Sequence, residues 1–351
     1  MRVPTSRRGP RVSHLFFADD SLLFCRANLL QWEALTRLLW QYEEASGQRL
    51  NNNKTAIYFS RNASVVDKAN ISEVLGIPSI QCYDMYLGLP TMVGKSRTAA
   101  FKGIIDKVWK KLQDWKLKFL SQAGKKVLLK AIIQVIPTYY MSVFLLPKTL
   151  CSEINSLMQH FWWKKSNNES NMHWMSWSCM RRRKNYGGMG FRDFKSFNKA
   201  LLAKQVWRLW QTPDSFLAKI MEGKYRMGGN ILDAKLGAKP SYVWRSIHGS
   251  CDLLKYGLIW HVGNGAKIRI WKDKWIPRPS TYKVQSIPRV LHSDATVSDL
   301  IDGDTQWWNK TMLENLFSSE EVHLIQSLLV SHSNGEDRRI WSGTKNGIFS
   351  V

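Results

Sequence analysis

Cysteine is scarce in this sequence and is not arranged as a zinc site or a disulfide framework. The five cysteines stand far apart along the 351 residues and form no C-x2-C pair; they are Cys25, Cys82, Cys151, Cys179 and Cys251. Zinc sites need thiols or imidazoles at close, regular spacing, and no two of the eight histidines stand at such a spacing. The sequence therefore predicts no zinc site. An odd number of unpaired cysteines is typical of a reducing, intracellular compartment, here the nucleus or the cytoplasm.

Long apolar runs are also missing. The charge-free stretch 131–147 contains Gln134, Pro137 and Thr138, and it is shorter than the roughly 20 apolar residues that a membrane-spanning helix needs. We expect a buried helix that is broken at Pro137. The basic N-terminus leads into no apolar segment before Asp19, so the sequence predicts neither a secretory signal nor a membrane partner.

Acidic residues are few compared with basic residues. Lysine and arginine total 51 against 27 aspartates and glutamates, a net charge of +24. A chain with this excess repels itself unless a polyanion is its usual neighbour, so nucleic acid is the first partner to expect. An anionic membrane would attract the same charge, but the basic residues are spread through helical segments and are not gathered beside a lipid-seeking stretch.

The chain length, with 44% hydrophobic residues, is enough for two or three units with buried cores.

Two apolar runs flank the acidic pair Asp19-Asp20 in residues 12–25. This pattern predicts a β-hairpin with the pair at its turn, and we expect the apolar flanks to anchor the turn. Adjacent carboxylates suit two-metal phosphoryl transfer, because they can hold divalent ions that activate a 3′-hydroxyl and neutralise the leaving pyrophosphate. An Asp-Asp pair is also common in ordinary turns, so the residues alone leave both interpretations open.

Apolar residues at three- and four-residue spacing predict an amphipathic helix over 29–47 that ends at Gly47. The other predicted elements are a short strand at 55–59, a helix at 150–163 and a helix near 198–210. Further on, Gly263-Asn264-Gly265 separates two apolar segments, 258–262 and 267–271. A Gly-rich turn between such segments predicts a hairpin that pairs one with the other.

Lysine is concentrated in residues 101–130, which contain nine lysines and two aspartates. The interleaved apolar residues stand at helical spacing, so one face is predicted to be core and the other cationic. The candidate nucleic-acid-binding lysines are Lys107, Lys110, Lys111, Lys118, Lys125 and Lys126. A second basic run provides Arg181, Arg182 and Arg183. Lysines on one side of a helix can neutralise phosphates, while a solvated face is the alternative; the arginine run fits a phosphate patch or a nuclear address.

A series of motifs gives the sequence a family resemblance. The segment 8–27, RGPRVSHLFFADDSLLFCRA, resembles the F/Y-A-D-D hairpin of non-LTR reverse transcriptases. The segments that follow in the order expected of plant retroelement polymerases are SGQRLNNNKT (46–55), YLGLP (86–90), the stretch 112–147, FWW (161–163), 187–210, PSYVWRSI (240–247) and VGNGAKIRIWKDKWIP (262–277). An ordered series is more specific than any single motif. The chain is similar to the C-terminal part of a plant non-LTR, LINE-type retrotransposon reverse transcriptase.

The resemblance implies an α+β fold, with a partial reverse-transcriptase palm followed by a mainly α-helical thumb and connection region. The implied domains are a palm with the F-A-D-D hairpin at 1–95, a thumb at 96–165, a basic, aromatic-rich connection at 166–335 and the truncated start of a zinc-binding domain at 336–351. It also implies Mg²⁺ as the cofactor, with an RNA template and a DNA primer as partners.

The resemblance assigns roles to individual residues. Asp19 would be the principal metal ligand and Asp20 its companion. Lys54 stands where family members have a lysine that could protonate pyrophosphate, and a solvated lysine is the alternative. Tyr86, Leu87 and Gly88 resemble the primer-grip turn, and the alternative is a turn that only packs.

The sequence also departs from the family pattern. Only 16 residues precede Phe17, whereas the fingers and the strand that carries the other catalytic aspartate need on the order of 100 residues. We therefore expect the chain alone to be inactive as a polymerase. The alternative function is a non-catalytic, basic nucleic-acid-binding protein derived from a decayed element.

Overall fold

The computed structural model describes residues 2–51, 53–60, 62–75, 79–80, 85–94, 96–116, 120–163, 172–278, 280–288, 290–330 and 335–351. The chain divides into two compact units, an N-terminal unit, Met1–His248, and a C-terminal unit, Gly249–Val351. Helices with small two-stranded sheets make up both units, and the predicted α+β class is confirmed. The domain boundaries predicted after residues 95, 165 and 335 stay predictions.

The first hundred residues form small sheets and two longer helices. The strands are β1 Val3–Pro4, β2 Arg11–Val12, β3 His14–Phe17, β4 Asp20–Leu23, β5 Ile57–Tyr58, β6 Ser79–Ile80, β7 Met85–Tyr86 and β8 Leu89–Pro90, and the helices are α1 Leu29–Ser46, α2 Val65–Leu75 and α3 Arg97–Ala100. The strands pair as β1–β2, β3–β4 and β7–β8 antiparallel and as β5–β6 parallel. Asn28 caps α1 by accepting the amide of Gln31, and Gly47 ends the helix at φ 68°, where a residue without a Cβ is favoured. The predicted helix over 29–47 is confirmed.

Helices build the rest of the N-terminal unit. They are α4 Lys102–Lys116, α5 Gln122–Leu128, α6 Thr138–Met141, α7 Lys148–Trp163, α8 Trp177–Arg181, α9 Phe194–Gln211, α10 Phe216–Tyr225 and α11 Tyr242–His248, with a π-helical turn at Leu129–Ile133 and 3₁₀ turns at Lys184–Tyr186 and Ile231–Asp233. Helix α4 packs against α7, and α9 packs against α7 and α11. The predicted break at Pro137 is confirmed, because α6 begins directly after it; Ile133 and Gln134 before it are buried, whereas Val135 is exposed.

One buried amide joins α9 to the end of the broken helix. Asn198 is 1% exposed, and its Nδ2 donates to the carbonyl oxygens of Met141 and Phe144 at 2.8 Å each. Its Oδ1 accepts the amide of Leu146 at 2.8 Å. Buried backbone groups without partners are costly, and Asn198 satisfies three of them where the chain leaves α6. This side chain therefore fixes the position of α9 against the segment 141–146.

The C-terminal unit has its own core. Its elements are α12 Cys251–Gly257, β9 Leu258–His261, a 3₁₀ turn at Val297–Leu300, α13 Lys310–Leu316, α14 Ser319–Gln326 and β10 Arg338–Trp341. A continuous buried cluster runs from Val262 to Val330 and includes Trp275, Trp308 and Ile325. Strands β9 and β10 pair antiparallel, with Leu258 opposite Trp341 and His261 opposite Arg338.

The prediction of a hairpin at Gly263-Asn264-Gly265 is wrong. The segment after this turn does not pair with β9; instead, the amide of Ile270 donates to the Ala295 carbonyl oxygen at 3.0 Å. The cause lies at Asp337, which is 5% exposed and accepts the amides of Gly263, Gly265 and Lys267 at 2.8–2.9 Å. A buried carboxylate needs such donors, so the glycine turn wraps around Asp337, and β10 takes the place beside β9.

Among the described residues, no helix has both the length and the apolar character needed to cross a membrane.

Replacement of Asn198 by alanine is expected to destabilise the N-terminal unit by about 3 kcal/mol, because two carbonyl oxygens and one amide lose their partner inside the core. Urea unfolding followed by circular dichroism measures the change. Lys199→Ala is the matched control, since Lys199 is the exposed neighbour on the same helix, and it should leave the midpoint nearly unchanged. Equal midpoints for the two variants would contradict the role of Asn198.

Replacement of Asp337 by alanine is expected to destabilise the C-terminal unit by about 2–4 kcal/mol, since three amides would lose a charged acceptor. Hydrogen exchange of the Gly263, Gly265 and Lys267 amides should speed up at the same time. Glu336→Ala serves as the control, because Glu336 is exposed and pairs with Lys267 only at the surface. Slow exchange of the three amides in Asp337→Ala would refute this account.

Candidate catalytic hairpin and nucleic-acid interface

The acidic pair lies at the tip of a β-hairpin, as predicted. Strands β3 and β4 pair antiparallel, with Phe17 opposite Asp20 and Leu15 opposite Leu22. This register leaves Ala18 and Asp19 as a two-residue turn. Asp20 begins β4, so the two carboxylates occupy consecutive positions, one in the turn and one on the strand.

The turn holds a side-chain-bearing residue in the left-handed region. Ala18 has φ 50°, a conformation that costs roughly 1–2 kcal/mol for an L-residue other than glycine. Asp19 and Asp20 are both exposed, so their carboxylate oxygens are accessible to a cation. Within the described part of the chain, no group of three or more His, Cys, Asp or Glu side chains could hold a metal ion.

The apolar flanks of the hairpin do not anchor it, contrary to the expectation from sequence. Phe16 is 64% and Phe17 62% exposed, and both strands have mostly exposed side chains. In the part of the chain that the structure describes, β3 and β4 form a sheet of two strands, so no third strand covers their side chains. The ring of Phe16 stacks on His14 at 4.6 Å between centroids instead.

The other two residue groups of the predicted palm stand in separate turns. Lys54 is exposed in the turn after α1, where its amide donates to the Asn51 carbonyl oxygen at 2.9 Å. No hydrogen bond or ion pair between described residues joins Lys54 to Asp19 or Asp20. Tyr86, Leu87 and Gly88 form the turn of the β7–β8 hairpin, with positive φ at Leu87 and Gly88. Positive φ at both central residues is the geometry that matches strand twist in a two-residue hairpin.

The lysine-rich helix α4 has the two faces that its sequence predicts. Ile104, Val108 and Leu112 are buried in the core of the N-terminal unit. The lysines Lys107, Lys110 and Lys111 are exposed. Lys118 lies outside the described residues.

Lys125 and Lys126 differ in what they contact, although they are neighbours on α5. The Nζ of Lys125 donates to the Trp162 carbonyl oxygen at 3.4 Å and lies 5.7 Å from the Phe161 ring centroid. Burial lowers the pKa of Lys125. Its ammonium group is thus part of the packing between α5 and α7, whereas the charge of Lys126 acts on Lys130.

The three arginines of the run 181–183 differ in their contacts. The Nη1 of Arg181 donates to Asp193 Oδ2 at 2.7 Å, and Asp193 caps α9 by accepting the amides of Lys195 and Ser196. Arg181 therefore helps to fix the start of α9. Arg182 and Arg183 are exposed and remain candidates for phosphate contact.

The charges of Lys126 and of Lys184, which comes from a distant part of the sequence, both act on Lys130, and we call Lys126, Lys130 and Lys184 the Lys130 cluster. Lys126 and Lys130 stand four residues apart, on one side of α5 and the π-helical turn that follows it. Burial, followed by the positive charges of Lys126 and Lys184, lowers the pKa of Lys130. Its Nζ lies 5.6 Å from the centroid of the Phe191 ring. The fold thus brings the lysine-rich helices and the basic run 181–184 to one surface.

Sequence reasoning included Lys130 in the lysine-rich stretch 101–130 and Lys184 in the basic run 181–184, but it did not relate the two, because nothing local shows that residues 54 positions apart come close. A signal was present in the glycines after the basic run. A Cβ at Gly188 would lie 2.1 Å from the Arg182 carbonyl oxygen, and the amide of Gly190 donates to that same oxygen at 2.8 Å. The glycines therefore allow the chain to turn back sharply, so that Gly190 lies both at the basic run and beside Lys130, where its Cβ would be 3.4 Å from the Lys130 Nζ.

The net charge is divided unequally between the two units. Residues 1–248 contain 39 lysines and arginines against 16 aspartates and glutamates, a difference of +23. Residues 249–351 contain 12 against 11. In the C-terminal unit many of these charges pair with each other, as in Lys267–Glu336, Lys272–Asp294 and Arg278–Glu320. The electrostatic attraction for a polyanion therefore comes from the N-terminal unit.

No family model matches the chain. Over 268 residues, 75% of its length, the chain is 28% identical to "Putative ribonuclease H protein At1g65750" of Arabidopsis thaliana. That match covers 43% of the relative, so the chain spans less than half of that protein. Over 142 residues, 40% of its length, the chain is 37% identical to "Uncharacterized mitochondrial protein AtMg00310" of the same plant. Because this match covers 92% of the mitochondrial protein, the chain belongs to the same family as the Arabidopsis protein AtMg00310.

Proposed function

We propose that this chain is a transposon-derived part of the RNA-directed DNA polymerase of a plant non-LTR retroelement. Both relatives come from a plant, and one of them has ribonuclease H in its name, an activity that degrades RNA and is a natural companion of reverse transcription. The ordered motif series supports the finer assignment, since the segments from the F-A-D-D hairpin onward follow the order of these polymerases.

The observation that carries the proposal is the hairpin tip. Asp19 and Asp20 stand side by side at the end of two paired strands, and both carboxylates are open to solvent. Mg²⁺ in polymerases is bound by one or two carboxylates, with waters and substrate phosphates supplying the other oxygens, so this donor set fits the ion. Asp19 and Asp20 would hold it, and the bound ion would neutralise charge on the leaving pyrophosphate.

The remaining palm residues receive roles by position. Lys54 would protonate the pyrophosphate, and the turn of Tyr86, Leu87 and Gly88 would contact the primer. This turn is fixed to the core, because Leu89 and Val93 pack against the buried cluster of the N-terminal unit. A primer grip needs such support.

The partners would be an RNA template and a DNA primer. The exposed lysines of α4 and the exposed Arg182 and Arg183 belong to the unit that carries nearly all of the net charge. Phosphate contacts from such residues do not depend on sequence, which is what a polymerase that moves along its template requires.

A second candidate function is non-catalytic nucleic-acid binding by a product of a decayed element. Two observations favour it: the +23 charge of the N-terminal unit and, among the described residues, the lack of a third metal-ligating side chain beside the acidic pair. Both candidates predict salt-sensitive binding, and both predict that the chain alone extends no primer. They differ in what Mg²⁺ does.

The polymerase assignment predicts that Mg²⁺ strengthens binding of a primer–template at fixed ionic strength, because the carboxylates of Asp19 and Asp20 would hold the ion, and the ion would offset their repulsion of the primer's phosphates. The double variant Asp19→Asn/Asp20→Asn should lose this increase while keeping its affinity in EDTA. Fluorescence anisotropy of a labelled RNA–DNA primer–template measures both. Glu43→Gln/Glu44→Gln, which also neutralises two adjacent exposed acids, is the control and should behave as the wild type.

If Mg²⁺ instead weakens binding, the second candidate, non-catalytic nucleic-acid binding, is supported. A simple polyanion binder is weakened by Mg²⁺, since the ion competes with lysines for phosphate, and both double variants would then follow the wild type. A primer-extension assay gives an independent readout. Extension by the wild type that is lost in Asp19→Ala would prove an enzyme that is active alone and would overturn the expectation of inactivity.

A further inference from the structure

The Lys130 cluster holds like charges together without neutralising them. Within the described ranges, no ion pair joins Lys126, Lys130 or Lys184 to a carboxylate. Lys130 is half-buried between the Phe191 ring and the backbone, and a Cβ at Gly190 would lie 3.4 Å from its Nζ. Cations placed this close repel each other, and a half-buried ammonium group has also lost part of its hydration. A bound anion would relieve both costs.

The backbone around the cluster is built to hold it. The π-helical turn Leu129–Ile133 displaces Lys130 from regular helical geometry, and the Gln134 amide donates to the Leu129 carbonyl oxygen at 3.0 Å. Single π-turns in helices are rare and occur often at functional sites. On the other side, the Gly187–Gly190 turn has positive φ at both of these glycines. Two unusual backbone segments therefore meet at Lys130.

An exposed aromatic residue lies in the same turn as Lys184. Tyr186 ends the 3₁₀ turn that begins at Lys184, and it is 73% exposed. Two residues of a 3₁₀ helix rise only about 4 Å, so the backbone positions of Lys184 and Tyr186 are close together. Proteins that bind single-stranded nucleic acid combine cations that contact phosphates with aromatic rings on which bases stack. The bases of a duplex are already stacked on each other and cannot cover such a ring.

We propose that the Lys130 cluster binds backbone phosphate of single-stranded nucleic acid and that Tyr186 stacks on an adjacent base. The inference rests on the proposed function to the extent that the chain binds nucleic acid, and it adds the form of the strand and the residues that select it. No contact in the site requires a 2′-hydroxyl, so RNA and DNA strands of one sequence should bind alike.

The test uses the full chain and labelled oligonucleotides: a single strand in RNA and DNA form, and a DNA hairpin duplex. Affinity is measured by anisotropy over a range of salt concentrations. Lys130→Gln and Lys184→Gln should each reduce the slope of log K against log salt for the single strand by about 0.7, the value for one phosphate contact. Lys235→Gln, which removes an exposed lysine elsewhere in the same unit, should leave the slope unchanged.

The stacking contact has a separate readout. Tyr186→Ala should weaken single-strand binding about tenfold, since a base stacked on an aromatic ring contributes strongly, while leaving the salt slope and the duplex affinity unchanged. Tyr186→Phe keeps the ring and should restore wild-type affinity. Unfolding midpoints of all variants establish that each is folded.

The outcomes separate this inference from the proposed function. If the wild type binds with salt sensitivity but Lys130→Gln and Lys184→Gln match Lys235→Gln, the phosphate site is refuted and the proposed function stands. Equal losses on single strand and duplex in Tyr186→Ala refute base stacking. If the wild type shows no salt-dependent binding to any oligonucleotide, the proposed function itself fails.

Discussion

The arrangement of the N-terminal unit depends on how the chain is fixed after Pro137. The helix that carries Lys126 and Lys130 ends there, and the carbonyl and amide groups beyond it would be buried without partners. Asn198 binds three of them, and α9 thereby comes to lie against the same core as α4 and α7. The basic run 181–184 lies just before α9 and is joined to it by the ion pair of Arg181 and Asp193. The hydrogen bonds of Asn198 therefore also determine where this basic run lies.

Local features of the fold could be predicted, because they follow from patterns within a few residues. The two apolar runs around Asp19 and Asp20 predicted the hairpin, and helical spacing from Ile104 to Leu112 predicted the buried face of α4. The glycine at 47 ended α1 as expected, since a residue without a Cβ adopts φ 68° at low cost. The tip of the candidate catalytic site could thus be placed correctly on a turn from sequence.

Long-range features could not be predicted. The turn at Gly263-Asn264-Gly265 has the composition of a hairpin, but its amides are taken by Asp337, more than 70 residues away, and no local pattern reveals that competitor. The interaction of Lys130 with Lys184 also joins residues far apart in the sequence, so no local pattern reveals it. The exposure of Phe16 and Phe17 was also missed, since an apolar run indicates a strand but does not show what covers its side chains.

The unequal division of charge between the units would affect the first encounter with the proposed nucleic-acid partner. At physiological ionic strength the field of a charge fades over about 8 Å, so an approaching polyanion is attracted only by the part of the surface that carries excess cations. That part belongs to residues 1–248. Diffusional encounters with a nucleic acid would therefore be oriented before any contact forms, and dissolved salt would govern how often they succeed. Residues 249–351, close to electrical neutrality, would add little to that capture and would be free to meet surfaces that are not anionic.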